Sequence, residues 1–318
     1  MKLCKVTKPG FSTMVQDLGR FGFQRYGVPF SGAMDSYAFT AANLLVDDRP
    51  SEACLEITML GPELEFLNEA QIAIAGADFS PLVNGEETRC WYTLQVRRGD
   101  VLSFGPPKGG CRAYLAVRGG INVPTILGSK STYLRGGFGG FHGRQLKAGD
   151  ALETLGPIVP LPSGFTLPQE LIPEHKDELT VEVVLGPQTE YFTERGLETF
   201  LSNVYKVTTE SDRMGYRLEG AEVEQRGSMD IVSDAIPVGA VQVPRNGKPI
   251  ILMRDAQTTG GYPKIAVVTS PDVSRLGQAK PNDRIRFSKV SPSMAREKLL
   301  EYQKTLSLLK GRLLESGL

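Results

Sequence analysis

Short apolar runs separated by glycine turns dominate the first half of the chain. The runs lie at residues 55–57, 72–76, 101–104 and 113–117. Apolar segments of this length between turn residues are typical of β-strands in a sandwich or barrel. The pattern therefore predicts a β-rich domain in the amino-terminal half.

One helix interrupts these strands. The apolar positions that predict it recur at intervals of three and four residues: Ala38, Ala41, Ala42 and Leu45. Asp35 or Ser36 precedes them, and either side chain suits an N-cap, whose oxygen accepts hydrogen bonds from free backbone amides. The pattern predicts a helix that starts at about residue 35.

The β pattern returns after a proline-rich stretch. Residues 156–173 contain five prolines, and neither a central strand nor a helix interior accepts that density. We therefore interpret residues 156–175 as an interdomain linker. Strands are then predicted at residues 181–185, 250–253, 265–269 and 285–287 and around Val241, with a short helix over 189–201.

The end of the chain has helical periodicity. Apolar side chains recur every three or four residues from Leu299 to Leu313, and Pro292 suits a first helical turn. Core packing is the usual use of such a stripe, although docking on a partner helix also fits it. The predicted organisation is a first domain over residues 1–155, the linker over 156–175, a second domain over 176–290 and a C-terminal amphipathic helix over 291–318.

Charge and hydropathy argue against several classes of binding partner. The 36 Lys and Arg residues are balanced by 36 Asp and Glu residues, so the composition lacks the basic excess typical of nucleic-acid binding. No apolar run approaches the ~20 residues that span a bilayer, and the first residues lack the apolar stretch of a signal peptide. We therefore expect a cytoplasmic protein without a nucleic-acid or membrane partner.

Several kinds of catalytic centre are not indicated. The four cysteines are isolated and only two histidines occur, so no metal site, disulfide framework or Ser-His-Asp set is recognisable. The phosphate-binding pattern G-x-x-x-x-G-K-[ST] does not occur either. Acid–base chemistry would then fall to aspartates, and the candidates are Asp17, Asp35, Asp212 and Asp255.

Three polar segments are candidates for a site. Residues 16–35 place polar side chains between glycines, and residues 211–217 carry two arginines whose spacing suits a carboxylate or phosphate. Residues 255–263 follow an apolar strand and combine a carboxylate, an amide and two hydroxyls, which complement an amide or ureide. Each segment also fits a solvated turn whose polar side chains cap backbone amides or form surface ion pairs.

Together the three segments resemble one family. The motifs are Gln16-Asp17-x-Gly19-Arg20 with Ser31-Gly32-Ala33-Met34-Asp35, then Ser211-Asp212-Arg213-Met214-Gly215-Tyr216-Arg217, then Asp255-Ala256-Gln257-Thr258-Thr259-Gly260-Gly261-Tyr262-Pro263. In them the chain is similar to the KipA family, which includes one component of the bacterial ATP-dependent 5-oxoprolinase. It also resembles the second half of the carboxyltransferase part of biotin-dependent urea carboxylase.

The resemblance implies a fold, an activity and partners. The fold would be mainly β, with two cyclophilin-like β-barrel subdomains, a few short helices and a C-terminal helix. The activity would be ATP-driven opening of 5-oxo-L-proline to L-glutamate, in a complex with a KipI-type protein and a LamB/YcsF-type protein. ATP would be bound by, or shared with, one of these partners, and the isolated chain would be inactive.

For that reaction we expect a site without a metal. Catalytic roles are expected for Asp255, Asp17 and Asp212. Substrate-binding roles are expected for Arg213, Arg217, Gln257, Thr258, Thr259, Arg20 and Ser31. Arg213 or Arg217 would bind the substrate carboxylate or a phosphoryl oxygen. Asp255, Gln257 and Thr258 would hold the amide edge, and Asp17 and Arg20 would complete the site from the other subdomain.

Two further interpretations stay open. A carboxyltransferase component would act on urea or a related amide with carboxybiotin carried by a partner, because this chain has no Met-Lys-Met biotinylation sequence. A KipA-like regulator would perform no chemistry and would sequester a KipI-like inhibitor of a sensor kinase. Turnover assays with the partner proteins distinguish the three functions.

Overall fold

The chain folds into two compact units. The computed structural model describes residues 1–156, 165–227 and 230–316. Unit 1 comprises Met1–Arg20, Ser31–His175 and Lys304–Leu318, and unit 2 comprises Phe21–Phe30 and Lys176–Gln303. Of the predicted linker, residues 157–164 lie outside the described residues.

Unit 1 consists of two β-sheets, one helix among the strands and the end of the C-terminal helix. Its elements are β1 (Lys2–Lys8), β2 (Ser12–Gln16), α1 (Ser36–Leu45), β3 (Cys54–Thr58), β4 (Glu63–Phe66), β5 (Ala70–Gly76), β6 (Pro81–Val83), β7 (Glu86–Glu87), β8 (Thr93–Val96), β9 (Val101–Phe104), β10 (Arg112–Val117) and β11 (Ala151–Glu153), with a 3-10 turn at Gln169–Leu171. The six-stranded sheet has the order β11-β1-β4-β9-β6-β7, and the five-stranded sheet has the order β2-β3-β10-β5-β8.

The five-stranded sheet is buried on both faces. Alternate residues of β5 enter different hydrophobic clusters, Ile72 and Ile74 on one side and Ala73 and Ala75 on the other. Helix α1 packs against β5 and β10 on the alanine side, where small side chains allow close approach. Burial on both faces explains why these strands form continuous apolar runs in the sequence rather than an alternating pattern.

Helix α1 begins as the sequence predicts. Asp35 is its N-cap, and the carboxylate accepts hydrogen bonds from the amides of Tyr37 at 3.0 Å and Ala38 at 3.2 Å. These amides have no partner within the helix, so the cap satisfies groups that would otherwise be unpaired.

Unit 2 is a closed barrel with peripheral helices. Its elements are a 3-10 turn at Gln24–Tyr26, β12 (Glu178–Leu185), a 3-10 turn at Thr189–Tyr191, α2 (Glu194–Ser202), β13 (Val204–Val207), β14 (Gly215–Glu219), β15 (Asp234–Ala235), β16 (Ala240–Gln242), β17 (Ile250–Leu252), β18 (Thr259–Gly260), β19 (Lys264–Val268), α3 (Ser270–Leu276) and β20 (Arg284–Lys289). The C-terminal helix α4 (Pro292–Ser316) begins in unit 2 and belongs to unit 1 from Lys304 onward. The barrel has the order β12-β19-β16-β17-β14-β13-β20, and β15 and β18 form a separate ribbon.

The C-terminal helix α4 packs on its own chain. In unit 2, Tyr302 lies with its hydroxyl 3.2 Å from that of Ser274, and Lys298 forms an ion pair with Glu182. In unit 1, Leu309 is completely buried in the hydrophobic cluster that contains α1. The apolar stripe of α4 therefore packs into the core of its own chain, as far as its side chains are described. The side chain of Leu313 lies outside the described residues.

The mainly β fold predicted from the sequence is confirmed, and one helix boundary differs. The predicted helix over 189–201 begins only at Glu194, after the 3-10 turn and extended backbone at Phe192. The helix begins later because Thr193 is its N-cap. The hydroxyl oxygen of Thr193 accepts a hydrogen bond from the amide of Gly196 at 2.9 Å.

Candidate functional site

Asp17 is the centre of a hydrogen-bond cluster in unit 1. Its Oδ1 accepts hydrogen bonds from the hydroxyls of Ser129 at 2.7 Å and Ser131 at 2.5 Å and from the amide of Gly19 at 2.8 Å. Its Oδ2 accepts from the amide of Lys130 at 2.6 Å. Both carboxylate oxygens are therefore engaged, and Asp17 ties the motif at 16–20 to the segment 129–131.

The partners of Asp17 were not predicted from the sequence. Ser129 and Ser131 are both buried, and each lies more than a hundred positions from Asp17 in the chain. The available signal was a polar run, Ser129-Lys130-Ser131-Thr132, that follows Gly128. Such a run is typical of a solvated loop, so the burial of its hydroxyls, and with it their need for a partner, became visible only in the folded chain.

Arg20 is completely buried beside the same segment. Its Nη2 donates a hydrogen bond to the carbonyl oxygen of Ser131, and its guanidinium carbon lies 4.9 Å from the centre of the Phe138 ring. Gly139 permits this approach, since a Cβ there would lie 2.5 Å from Nη2 of Arg20 and 2.0 Å from the carbonyl oxygen of Ser131. Asp17 and Arg20 therefore share Ser131 as a partner.

Ser31 combines backbone strain with an unsatisfied polar group. Its φ is +53° and it is fully buried, and its hydroxyl has no hydrogen-bond partner within the described part of the chain. The following Gly32 lies against the motif at 16–20, because a Cβ on it would be 2.7 Å from the amide nitrogen of Gly19. Strain and an unpaired buried group at one residue are features of functional sites.

A buried acidic residue supports the segment after Ser31. Glu56 Oε2 accepts hydrogen bonds from the amide of Met34 at 2.9 Å and the hydroxyl of Tyr114 at 2.7 Å, and that hydroxyl also accepts from the amide of Asp35 at 2.8 Å. Burial, followed by the negative charge of Glu56, raises the pKa of Tyr114 well above its usual range. Asp35 therefore serves here as a helix cap within a structural network.

Arg213 and Asp255 form a buried ion pair in unit 2. Arg213 donates from Nε to Asp255 Oδ2 at 2.9 Å and from Nη2 to Oδ1 at 3.2 Å. Both side chains are more than nine-tenths buried, with relative exposures of 9% and 6%. The structure brings together the arginine of one motif and the carboxylate of another, and this bidentate geometry fixes the orientation of both.

The neighbours of Arg213 lie in different surroundings. Asp212 caps a turn, since its Oδ1 accepts from the amides of Met214 at 2.8 Å and Gly215 at 3.3 Å. Arg217 is exposed on β14 and its Nε lies 3.7 Å from Glu210 Oε2. Such a surface pair is worth ~0–1 kcal/mol, so Arg217 remains accessible to a ligand.

The loop after Asp255 presents polar groups without internal partners. Gln257 and Thr259 are exposed and Thr258 is half-buried, and within the described residues none of the three side chains makes a hydrogen bond. The backbone is nevertheless fixed, because the carbonyl oxygen of Thr258 accepts a hydrogen bond from the amide of Ile236 at 3.0 Å. An amide and two hydroxyls are thus displayed on an ordered backbone.

The described residues hold neither a metal cluster nor a membrane-spanning helix. Over residues 1–156, 165–227 and 230–316, no group of three or more His, Cys, Asp or Glu side chains is arranged to hold a metal ion. Among the helices described there, none has the length and apolar character needed to cross a membrane.

Comparison with known proteins places the fold in a family. Residues 26–289 match the carboxyltransferase domain family, subdomains A and B. The chain belongs to this family. The resemblance predicted from the motifs is therefore confirmed, and the motifs at 211–217 and 255–263 lie inside the matched range.

Relatives of this carboxyltransferase-domain protein are components or parts of enzymes. It is 36% identical over 287 residues to the C subunit of 5-oxoprolinase from Haemophilus influenzae, covering 87% of this chain and 88% of that protein. It is 34% identical over 315 residues to the C subunit of 5-oxoprolinase from Escherichia coli K12, covering 98% and 99%. The crystal structure of Kluyveromyces lactis urea carboxylase superimposes with a TM-score of 0.91 at 35% identity, covering 97% of this chain and 29% of that chain.

Proposed function

We propose that this chain is the C subunit of an ATP-dependent 5-oxoprolinase, which opens the lactam of 5-oxo-L-proline to give L-glutamate. The proposal rests on the extent of the similarity. The Escherichia coli C subunit of 5-oxoprolinase aligns over 99% of its length, whereas the similar region is 29% of the urea carboxylase chain.

The polar side chains of the loop at 257–259 can form hydrogen bonds with a lactam. A lactam presents an N–H donor beside a C=O acceptor, and a carboxamide and a hydroxyl offer the complementary acceptor and donors. We assign the carboxamide of Gln257 and the hydroxyl of Thr258 to this edge, with Thr259 beside them. Because these side chains make no hydrogen bond within the described residues, substrate binding breaks no internal hydrogen bond of theirs.

Asp255 is the proposed catalytic acceptor in unit 2. Its carboxylate is buried and oriented by Arg213, so it is placed to accept the lactam N–H or to guide water without rotating first. Arg217 provides an accessible guanidinium for the substrate carboxylate or a phosphoryl oxygen, and the turn capped by Asp212 holds the segment that carries both arginines.

In unit 1 the proposed ligand contact is Ser31. A buried hydroxyl without a partner gains a hydrogen bond when a ligand atom reaches it, which favours the bound state. Asp17 fixes the backbone at Gly19, against which Gly32 lies, and both Asp17 and Arg20 bind Ser131. We therefore assign Asp17 and Arg20 to the arrangement of the segment around Ser31 in unit 1.

ATP would supply the phosphoryl group that activates the lactam oxygen, and ADP and phosphate would be released. Arg213, one of the candidate phosphate ligands, is engaged with Asp255, and the sequence lacks the G-x-x-x-x-G-K-[ST] pattern. We therefore place most nucleotide contacts on two partners, a KipI-type protein and a LamB/YcsF-type protein. The chain by itself would be inactive.

Reconstitution tests this proposal. The chain is mixed with the two partner proteins, and ADP release is measured with and without 5-oxo-L-proline. Dependence on all three proteins and on 5-oxo-L-proline supports the function, and Asp255→Ala should abolish turnover while Arg284→Ala, at an exposed ion pair, should not. Normal assembly without 5-oxo-L-proline-dependent ATP hydrolysis contradicts the proposal.

A second candidate function is carboxyl transfer, favoured by the TM-score of 0.91 to urea carboxylase. In that case urea-dependent loss of carboxyl groups from a carboxylated biotin carrier would be observed, and 5-oxo-L-proline would have no effect. Tight binding to a KipI-type protein without turnover of either substrate would instead indicate a regulator.

A further inference from the structure

Lys264 is an enclosed lysine at the start of β19. Its side chain is only 2% exposed, and its ammonium donates to Asp234 Oδ2 at 2.6 Å and to the carbonyl oxygen of Ala235 at 3.0 Å. Lysine is rarely buried, because the ammonium loses strong hydration unless fixed partners replace it. The geometry therefore indicates that Lys264 holds its partners in place.

Those partners are the two residues of β15. This strand pairs with β18 in antiparallel register, with Ala235 opposite Thr259 and Asp234 opposite Gly260. A two-residue ribbon has too few hydrogen bonds to be stable alone. Lys264 ties β15, and through it β18, to the barrel strand β19.

Gln188 reinforces the same attachment. Its Oε1 accepts a hydrogen bond from the Lys264 amide at 2.9 Å, and its Nε2 donates to Asp234 Oδ2 at 3.1 Å. The hydrogen bond from Lys264 is the main cause that lowers the pKa of Asp234, so this carboxylate stays charged at neutral pH. Oδ2 of Asp234 thus accepts hydrogen bonds from two side chains outside the ribbon, those of Lys264 and Gln188.

The opposite strand of the ribbon also has a buried support. Gln242, which is 2% exposed, donates from Nε2 to the carbonyl oxygen of Tyr262 at 3.0 Å. A Cβ at Gly260 would lie 3.0 Å from the same Nε2. The segment 257–262 is therefore held at two points: at β18 by its pairing with β15, and at Tyr262 by Gln242.

We propose that Lys264 is a positioning residue for the loop at 257–259, acting through Asp234 and the β15–β18 ribbon. The inference rests on the function proposed above, in which Gln257 and Thr258 bind the lactam. With the ribbon attached, both side chains meet the substrate in one geometry. Without the attachment, the barrel remains folded but the loop samples several geometries, so substrate binding weakens.

The test compares Lys264→Met, Lys264→Arg and Asp234→Asn in the reconstituted complex, with Lys280→Met as the matched control. Lys280 also donates to two carboxylates of unit 2, those of Asp177 and Asp283. We expect Lys264→Met to raise KM for 5-oxo-L-proline by about tenfold or more and to accelerate hydrogen exchange at the Ile236 amide. Asp234→Asn should show a smaller change of the same kind, Lys264→Arg should recover part of it, and Lys280→Met should change neither.

Unchanged exchange at Ile236, or an unchanged KM, in both Lys264→Met and Asp234→Asn would overturn the role of Lys264. If Lys264→Met fails to fold, the result for Asp234→Asn alone tests the proposal. In that variant Lys264 keeps its hydrogen bond to the carbonyl oxygen of Ala235. A wild-type complex that does not hydrolyse ATP in response to 5-oxo-L-proline would overturn the proposed function instead. The exchange measurement would still establish whether Lys264 holds the ribbon.

Discussion

Arg213 and Asp255 are joined twice, through side chains and through the backbone. The guanidinium donates to both carboxylate oxygens, and the amide of Asp255 donates to the carbonyl oxygen of Arg213 at 2.9 Å. Two segments separated by 42 positions are thereby fixed at one point. Because both side chains are buried, each needs the other to compensate its lost hydration.

Loss of either member of this pair should destabilise the fold. Arg213→Ala or Asp255→Ala should each lower the free energy of unfolding by about 3–5 kcal/mol, because the remaining charge is buried without its partner. The loss of unfolding free energy in the double variant should be about 1–3 kcal/mol smaller than the sum of the two single losses. Urea unfolding of the four proteins measures this coupling. Strict additivity would contradict it, and Arg217→Ala, at an exposed pair, should change stability little.

Two glycines of one loop should differ in their tolerance of alanine. Gly137 and Gly139 both have positive φ, +65° and +75°, but a Cβ at Gly137 meets nothing within 4 Å while one at Gly139 would lie 2.0 Å from the carbonyl oxygen of Ser131. Gly137→Ala should cost about 1–2 kcal/mol for the left-handed backbone alone. Gly139→Ala should cost about 1–3 kcal/mol more, since the loop must move away from Ser131.

Denaturation midpoints of the two variants check this difference. Equal destabilisation would mean that the close approach to Ser131 contributes nothing. Gly137→Ala is the matched control, because it carries the same backbone strain without the contact.

Two substitutions separate the hydroxyl of Ser31 from its backbone strain. Ser31→Ala and Ser31→Gly both remove the hydroxyl, but only glycine relieves the left-handed φ, so it should be the more stable variant by up to about 1–2 kcal/mol. If the hydroxyl contacts substrate, both variants should raise KM by roughly 3- to 10-fold, the value of one neutral hydrogen bond.

Steady-state kinetics and thermal melting of the reconstituted complex measure these effects. Ser80→Gly is the control, since Ser80 also has a positive φ of +46° and lies outside the proposed site. Normal KM in both Ser31 variants would exclude the substrate contact.

The ion pair of Arg144 and Asp150 should make stability depend on pH. Arg144 donates from its two terminal nitrogens to Asp150 at 2.7 and 2.9 Å, and this hydrogen bonding lowers the pKa of Asp150. A lowered carboxyl pKa stabilises the fold above the unfolded value of about 3.9, and this contribution is lost as pH falls through the lower folded value. The stability difference between wild type and Asp150→Asn should therefore be largest near neutral pH and shrink below about pH 4.

Thermal melting of both proteins between neutral and strongly acidic pH follows this difference. A difference in melting temperature between the two proteins that stays constant across the acidic range would contradict a stabilising role for the ionised Asp150 carboxylate. Arg144→Met should flatten the pH dependence in the same way, because it removes the donor that lowers the pKa.

Local features of the fold could be predicted from the sequence. The N-cap at Asp35 and the strands around Ile74 and Leu115 follow from side chains that interact with their own backbone or recur at the period of one element. The start of α2 was predicted too early, because the cap at Thr193 competes with an apolar pattern that extends further back.

The motifs were recognisable in the sequence, but their internal partners were not. Asp17 and Arg213 were identified as chemically important, yet the hydroxyl of Ser131 lies 114 positions from Asp17 and the carboxylate of Asp255 lies 42 positions from Arg213. Lys264 carried no signal beyond its place before an apolar run. Pairing at such separations depends on which strands meet in a sheet.

Local periodicity and residue chemistry were sufficient to specify the β-rich fold, the helix at 36–45 and the polar segments that carry the family resemblance. Which of those polar groups are engaged, and which remain available, depended on the folded chain. Folding paired Arg213 with Asp255, saturated Asp17 and left Gln257, Thr258 and Ser31 without side-chain partners in the described residues. The physical reason is that burial forces a polar group to find a partner, and the partner is supplied by distant strands brought together by the core.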